Sequence, residues 1–172
     1  MAWSPLSLMA RNNAWANVVL LSACARLAPG EWEAPRTGFF PSLKATLEHV
    51  HAVDLYYLDA LEGGGIGRAI FDTAPGFAGV SALTAAQAAT DARLIRLADT
   101  DDPARVVTTD RGRHGVVCET TGAILLHLFQ HQVHHRGQAH AMLSSTSVTP
   151  PQLDDFHLAF MRDPAAQRML DA

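Results

Sequence analysis

Apolar positions recur with helical period over four long stretches of this chain, and each stretch carries its own start or stop signal. Ser4-Pro5 pairs an N-cap with a first-turn proline, and the segment from Leu6 to about Leu27 then runs free of Pro and Gly until Pro29-Gly30. A second helix is predicted from about Ser42 to Glu62, stopped by Gly63-Gly64-Gly65. Its Leu43, Leu47, Val50, Leu58 and Leu61 form an apolar stripe, which Val53, Tyr56, Tyr57 and Ala60 broaden into a wide arc. Asp54 falls inside that arc, so a buried partner is expected for it. Thr84-Ala-Ala-Gln87 reads as a capping box opening a third helix that runs to about Asp99. Thr120-Thr121-Gly122 caps a fourth from about residue 120 to about 143, with Leu125, Leu126, Phe129 and Val133 as its inward apolar back.

The connecting segments are short on periodicity. Residues 31–41 form a connector with Phe39 and Phe40 as aromatic anchors, and residues 63–80 a Gly- and Pro-containing loop. Val106 to Thr109 and Val116 to Thr120 flank Asp110 to Gly115, which suits a short β-hairpin. After a linker from Ser144 to Thr149, Thr149-Pro150-Pro151 is expected to cap a short helix through about Met161, with a last turn or two after Asp163-Pro164. The pattern is that of an all-α protein, and 172 residues are expected to form one domain over residues 1–172. A chain of this length buries about 70% of the surface its unfolded form exposes, so it needs no staple to fold.

Composition narrows the partners. A net charge of -4 and a pI near 6.1 give no electrostatic reason to approach nucleic acid or an acidic membrane surface. No apolar run reaches the roughly 18–20 residues that span a bilayer. Val18 to Cys24 looks like a lipoprotein-type segment, but Asn17 interrupts the run and Arg11 is the lone basic charge before it, so that reading is set aside. Only 17% of residues are charged against 48% hydrophobic, which points to a surface covered by a second subunit. Cys24 and Cys118 make no Cys-x-x-Cys spacing and read as free thiols of a reducing, cytoplasmic compartment.

The chemistry concentrates in the histidines. Five of the nine lie between His127 and His140. On a helix His127, His131, His134, His135 and Gln138 share one narrow stripe, while His140 points to the far side. A solvated face would ordinarily carry Lys and Glu there, and it is the competing reading. The i, i+4 pair His131 and His135 has the spacing that aims two imidazoles at one metal ion. Gln132 stands where a zinc-protease helix has its glutamate, and a neutral amide is no general base. Two ligands leave a site incomplete, so a third must come from elsewhere; the second helix offers His49 and His51, on opposite borders of the apolar arc. Helical geometry does not choose between them, and either could instead be a core-edge histidine bonded to a backbone carbonyl.

The stretch His49-Val-His-Ala-Val-Asp54-Leu-Tyr-Tyr57-Leu58, taken with His131-Gln-Val-His-His135-Arg136-Gly137-Gln138, resembles the DinB, or damage-inducible, family of small helical metalloproteins. Asn13-Ala-Trp15-Ala-Asn17, Phe39-Phe40-Pro41-Ser42 and Thr149-Pro150-Pro151 fit the same family, so the resemblance covers nearly the whole chain. It implies a four-helix bundle in up-down-down-up order, usually a homodimer, with a divalent metal on three histidines that match His49, His131 and His135. Tyr57 departs from the Trp of many relatives, and His51 and His134 add imidazoles that compete for the ion. Three imidazoles suit Zn, Ni, Fe and Cu alike, and Zn or Ni is the expected ion, with Fe or Cu also compatible.

The wider superfamily includes bacillithiol- and mycothiol-dependent transferases and a mycothiol-dependent isomerase. The expectation is therefore a metal-dependent enzyme, a thiol S-transferase or a hydrolase acting on an unidentified small molecule, in which the ion polarises a thiol or water. The sequence names no catalytic residue apart from the ligands. The other class is a non-catalytic, metal-stabilised dimeric binding or stress-response module, which a fourth ligand from His127 or His134 would favour. A DNA function finds no support in an acidic chain without a basic stripe.

Overall fold

The structure is a computed structural model, described over residues 3–159 and 163–171. Four long helices, α1 (Pro5–Cys24), α2 (Leu43–Glu62), α4 (Val80–Thr100) and α5 (Thr121–Leu143), form the bundle. A short α3 (Ile70–Thr73) follows a 3-10 turn at Gly67–Ala69, and α6 (Pro164–Asp171) closes the chain. Between α4 and α5, strands β1 (Val106–Asp110) and β2 (Val116–Thr120) pair antiparallel, Val106 opposite Thr120 and Asp110 opposite Val116. No described helix is long and apolar enough to cross a membrane.

The caps set three helix starts. Ser4, Ser42 and Thr120 are the N-caps of α1, α2 and α5, their side chains accepting from the backbone N–H of Ser7, Ala45 and Ala123. Gly63 ends α2 in the left-handed region at φ 73°, which an L side chain adopts only at a cost.

Cross-helix bonds give the order. Arg11 pairs with Asp99 and Asn17 with Asp91, so α1 and α4 run antiparallel. Thr46 meets Met142 and Asp54 meets Gln132, so α2 and α5 are antiparallel as well. His51 meets Gln87 and Glu62 meets Arg93, which makes α2 and α4 parallel. The arrangement is up-down-down-up.

Two apolar cores occupy the two ends of the bundle. One is built on Tyr56, Leu58, Leu61, Leu94, Ile124 and Leu128, and the other on Leu20, Leu43, Leu47, Leu83, Met142 and Leu143. The side chains of Asn13, Asn17, Asp54, Gln87, Asp91, Gln132 and Arg136 form a buried polar waist between them.

Several sequence expectations need correction. Thr84 is no cap: α4 begins a turn earlier at Val80, which places Leu83 in the core, and the Thr84 hydroxyl donates to the Val80 carbonyl. α1 stops at Cys24. Residues 150–159 form no helix, since consecutive prolines favour extended backbone; Phe156 is buried in a small cluster with Trp15, and residues 160–162 lie outside the described residues. Phe39 is 78% exposed, and Trp32 is the buried aromatic of its connector. Leu126 and Val133, at 61% and 53% exposed, face outward because α5 turns Gln132 and Arg136 inward.

Candidate metal centre

At the level of the polar waist α2 and α5 bring His49, His131 and His135 together, with one ligand atom of each within 4.8 Å of the others. The Nε2 atoms of His49 and His131 stand 3.1 Å apart. That spacing is close to the edge of a tetrahedron with metal–nitrogen bonds of 2.0–2.1 Å, about 3.3 Å. Phe40 lies over the His49 ring at 4.4 Å between centroids and covers one side of the cluster.

Burial makes all three imidazoles reluctant to take a proton. The His49 pKa is pushed down to about 4, first by burial and then by His135. His131 falls to about 3, again by burial first and then by its histidine neighbours. His135 is lowered by burial, against the bond to Gln138. Neutral imidazole is the ligating form, so the donor set fits a divalent transition ion. His131 Nδ1 is buried without a hydrogen-bond partner.

Gln138 fixes the orientation of His135. Its Oε1 accepts from His135 Nδ1 at 2.8 Å, and its Nε2 donates to His134 Nε2 at 3.0 Å. This polarity puts the His135 proton on Nδ1 and leaves Nε2 with its lone pair. Gln138 therefore orients a histidine of the cluster from outside it, and His134 supports Gln138.

The waist is a closed ring of hydrogen bonds through all four helices. Asp54 on α2 accepts from Gln132 on α5 and from Gln87 on α4. Gln132 Oε1 accepts from Arg136 at 3.0 Å, and Arg136 also donates to Asn13 and Asn17 on α1. Asn13, Asn17 and Gln87 donate in turn to Asp91, each at 3.1 Å. Two carboxylates here face one guanidinium. Burial, then the neighbouring Asp91 charge, raises the Asp54 pKa to about 7, and burial raises that of Asp91 to about 6. Burial lowers Arg136 to about 10. Because Gln132 and Arg136 directly follow His131 and His135, the ring also locks the register of α5 against α2.

The DinB family profile matches residues 2–169. This chain belongs to the DinB family. No curated protein matches it.

In this DinB chain the other histidines stay out of the cluster. His51, one of the two candidates on α2, is buried on the α4 side, with Nδ1 3.3 Å from Gln87 Oε1 and the Phe77 ring edge-on. His127 stacks edge-on with Tyr57, and His140 bonds the Pro151 carbonyl at 2.9 Å. Among the described residues no fourth His, Cys, Asp or Glu joins the three. Cys24 is buried, its thiol pushed up to about 12, and Cys118 is exposed on β2.

Sequence reasoning missed the ring apart from the expected partner of Asp54. Gln87, Asp91, Gln132 and Arg136 each look like ordinary polar-face residues on their own helices.

Proposed function

We propose that this DinB protein is a metal-dependent enzyme, a thiol S-transferase or hydrolase, with His49, His131 and His135 as its ligands. The observation that carries the reading is a cluster of three neutral imidazoles with no fourth protein ligand among the described residues, which is the donor count of a catalytic rather than a structural site. A divalent transition ion, Zn or Ni by preference, supplies Lewis-acid polarisation of a thiol or water when bound there.

The chain's own residues do the positioning. Gln138 holds His135 in the tautomer whose Nε2 lone pair is free. Phe40 shields the cluster beside His49, and a cavity opens beside His131. No carboxylate of the described residues joins the cluster as a general base. A homodimer is part of the proposal, supported by Leu126 and Val133, exposed and two turns apart on the outer face of α5.

Elemental analysis of tag-free protein tests the ligands. His49→Ala, His131→Ala and His135→Ala should each lower bound metal far more than His51→Ala or His140→Ala. If His51→Ala empties the site while His49→Ala leaves it full, the assignment is wrong. A thiol-conjugation screen on the metal-replete protein then separates an enzyme from the non-catalytic metal-stabilised module.

A further inference from the structure

Beside His131 and His127 lies a cavity of about 250 Å³ between α2, α3 and the hairpin turn. One wall is aromatic: the Tyr56 ring stands 4.9 Å from Tyr57 and 5.1 Å from Phe71, centroid to centroid. Two guanidinium groups reach this space, and they are not equivalent.

Arg111 is committed. It donates to both carboxylate oxygens of Glu119, at 2.8 and 2.6 Å, and to the Tyr57 hydroxyl. Arg68 has no such partner, since among the described residues no carboxylate forms an ion pair with it. Its guanidinium stands 5.9 Å from the centre of the Phe71 ring. It also packs against Gly112, where a Cβ would sit 2.9 Å from the Arg68 Cζ. The turn that carries it is tied down, because Gly67 N–H donates to the Asp59 carboxylate at 2.8 Å. The Tyr56 hydroxyl is spent on the Asp110 carbonyl. The cavity thus combines one unpaired cation, an aromatic wall and an edge of the histidine cluster.

We infer that this cavity binds a small organic anion, its carboxylate gripped by Arg68 and its stem laid on Tyr57 and Phe71, so that its other end reaches His131. A guanidinium fork matches a carboxylate in two parallel hydrogen bonds, which an ammonium or hydroxyl cannot reproduce. The aromatic wall offers apolar surface to the carbon stem, while the guanidinium of Arg68 stays at the exposed mouth of the cavity. The role of the far end as the reacting group rests on the proposed metal site, whereas the carboxylate grip does not.

The test uses three probes of nearly equal size: 3-mercaptopropionate, 2-mercaptoethanol and cysteamine, with carboxylate, hydroxyl and ammonium ends. Their Kd values for zinc-loaded, tag-free protein are measured by ligand-observed NMR at low salt, where charge selectivity is least screened. The wild type should bind 3-mercaptopropionate at least tenfold more tightly than the other two. Arg68→Gln should bring the three within twofold at unchanged zinc content, while Arg113→Gln on the neighbouring turn keeps the preference. Equal binding of all three by the wild type overturns the proposal. So does a preference that survives Arg68→Gln, because it then reflects chelation by the metal alone. Propionate on zinc-free protein separates the two readings. Arg68-dependent binding there, in a chain that takes up no zinc, keeps the anion site and removes the metal centre. Zinc uptake without any Arg68 dependence removes the anion site alone.

Discussion

Replacing Arg136 by Met should cost about 3–5 kcal/mol of stability, the range for leaving buried charge without its counter-charge, here one linked to the acids through amide side chains. Arg136 is 4% exposed and is the cation of the ring that holds Asp54 and Asp91. Its loss also strips a donor from Asn13 Oδ1, Asn17 Oδ1 and Gln132 Oε1, and a buried acceptor left unpaired costs about 1–3 kcal/mol. Met restores apolar volume but none of those bonds, and partial rearrangement of the amides keeps the total below the sum. Against a stability of roughly 5–15 kcal/mol, a shift of this size is easily measured by urea unfolding of metal-free protein followed by circular dichroism.

The pH dependence gives a second handle on the same variant. Both carboxyls have folded pKa values raised above the unfolded 3.8, to about 7 and about 6, so their contribution is full below about 3.8 and is lost as pH rises through that window. Without the guanidinium both rise further, and the deficit of Arg136→Met should be larger at pH 8 than at pH 5. Adding Asp91→Asn should recover at least about 1.5 kcal/mol, within the usual coupling of neighbours. A variant within about 1 kcal/mol of wild type, or a deficit equal at both pH values, would refute the account of the ring.

Other expected outcomes are more easily stated. Light scattering at micromolar concentration should give about twice the 18.5 kDa chain mass, and Leu126→Asp with Val133→Asp should return the monomer; a wild-type monomer removes the dimer. Gentle chelation should leave the helical circular dichroism intact, because two apolar cores hold the bundle without the ion, and metal at a hundredfold excess over Kd should add about 2.7 kcal/mol. Loss of helicity on chelation would contradict this. Gly63→Ala should lower stability by about 1–2 kcal/mol through left-handed strain at the end of α2, read as a reduced urea midpoint.

Much of the scaffold was legible because its signals are local. Ser4, Ser42 and Thr120 cap the helices that their sequence contexts indicate, Gly63 ends α2, and the hairpin between α4 and α5 lies where two short β-branched runs flank a Gly-rich turn. The His131 and His135 pair was legible for the same reason, since a spacing of four is one turn of helix. Helical geometry leaves His49 and His51 open, because both border the apolar arc of α2, and the choice of His49 rests on the family resemblance; the structure places His49 with His131 and His135. The ring was hidden for a stronger reason. Asp54 and Gln132 are 78 residues apart and Arg136 and Asn13 are 123 apart, so the place of Asp54 in the apolar arc shows that it has a partner but not which one. Apolar character alone places Leu126 and Val133 inward, whereas the buried partners of Gln132 and Arg136 turn that face of α5 outward. Thr84 failed as a cap because a Ser/Thr-x-x-Gln pattern occurs equally well inside a helix whose start is marked by the less distinctive Gly79.

Synthesis from the N-terminus delivers Asn13, Asn17, Asp54, Gln87 and Asp91 well before the cation that completes their circle. Arg136 follows Asp91 by roughly 45 residues, on the order of 2–9 s of elongation at about 5–20 residues per second. Through that interval α1, α2 and α4 have apolar faces ready to collapse but a waist in which two acids would be buried together without a counter-charge. A three-helix assembly of α1, α2 and α4 alone would bury Asp54 and Asp91 together with no guanidinium beside them, so its middle is less favourable than that of the complete bundle. The ring thus makes comfortable burial of the two acids conditional on the same helix that carries His131 and His135.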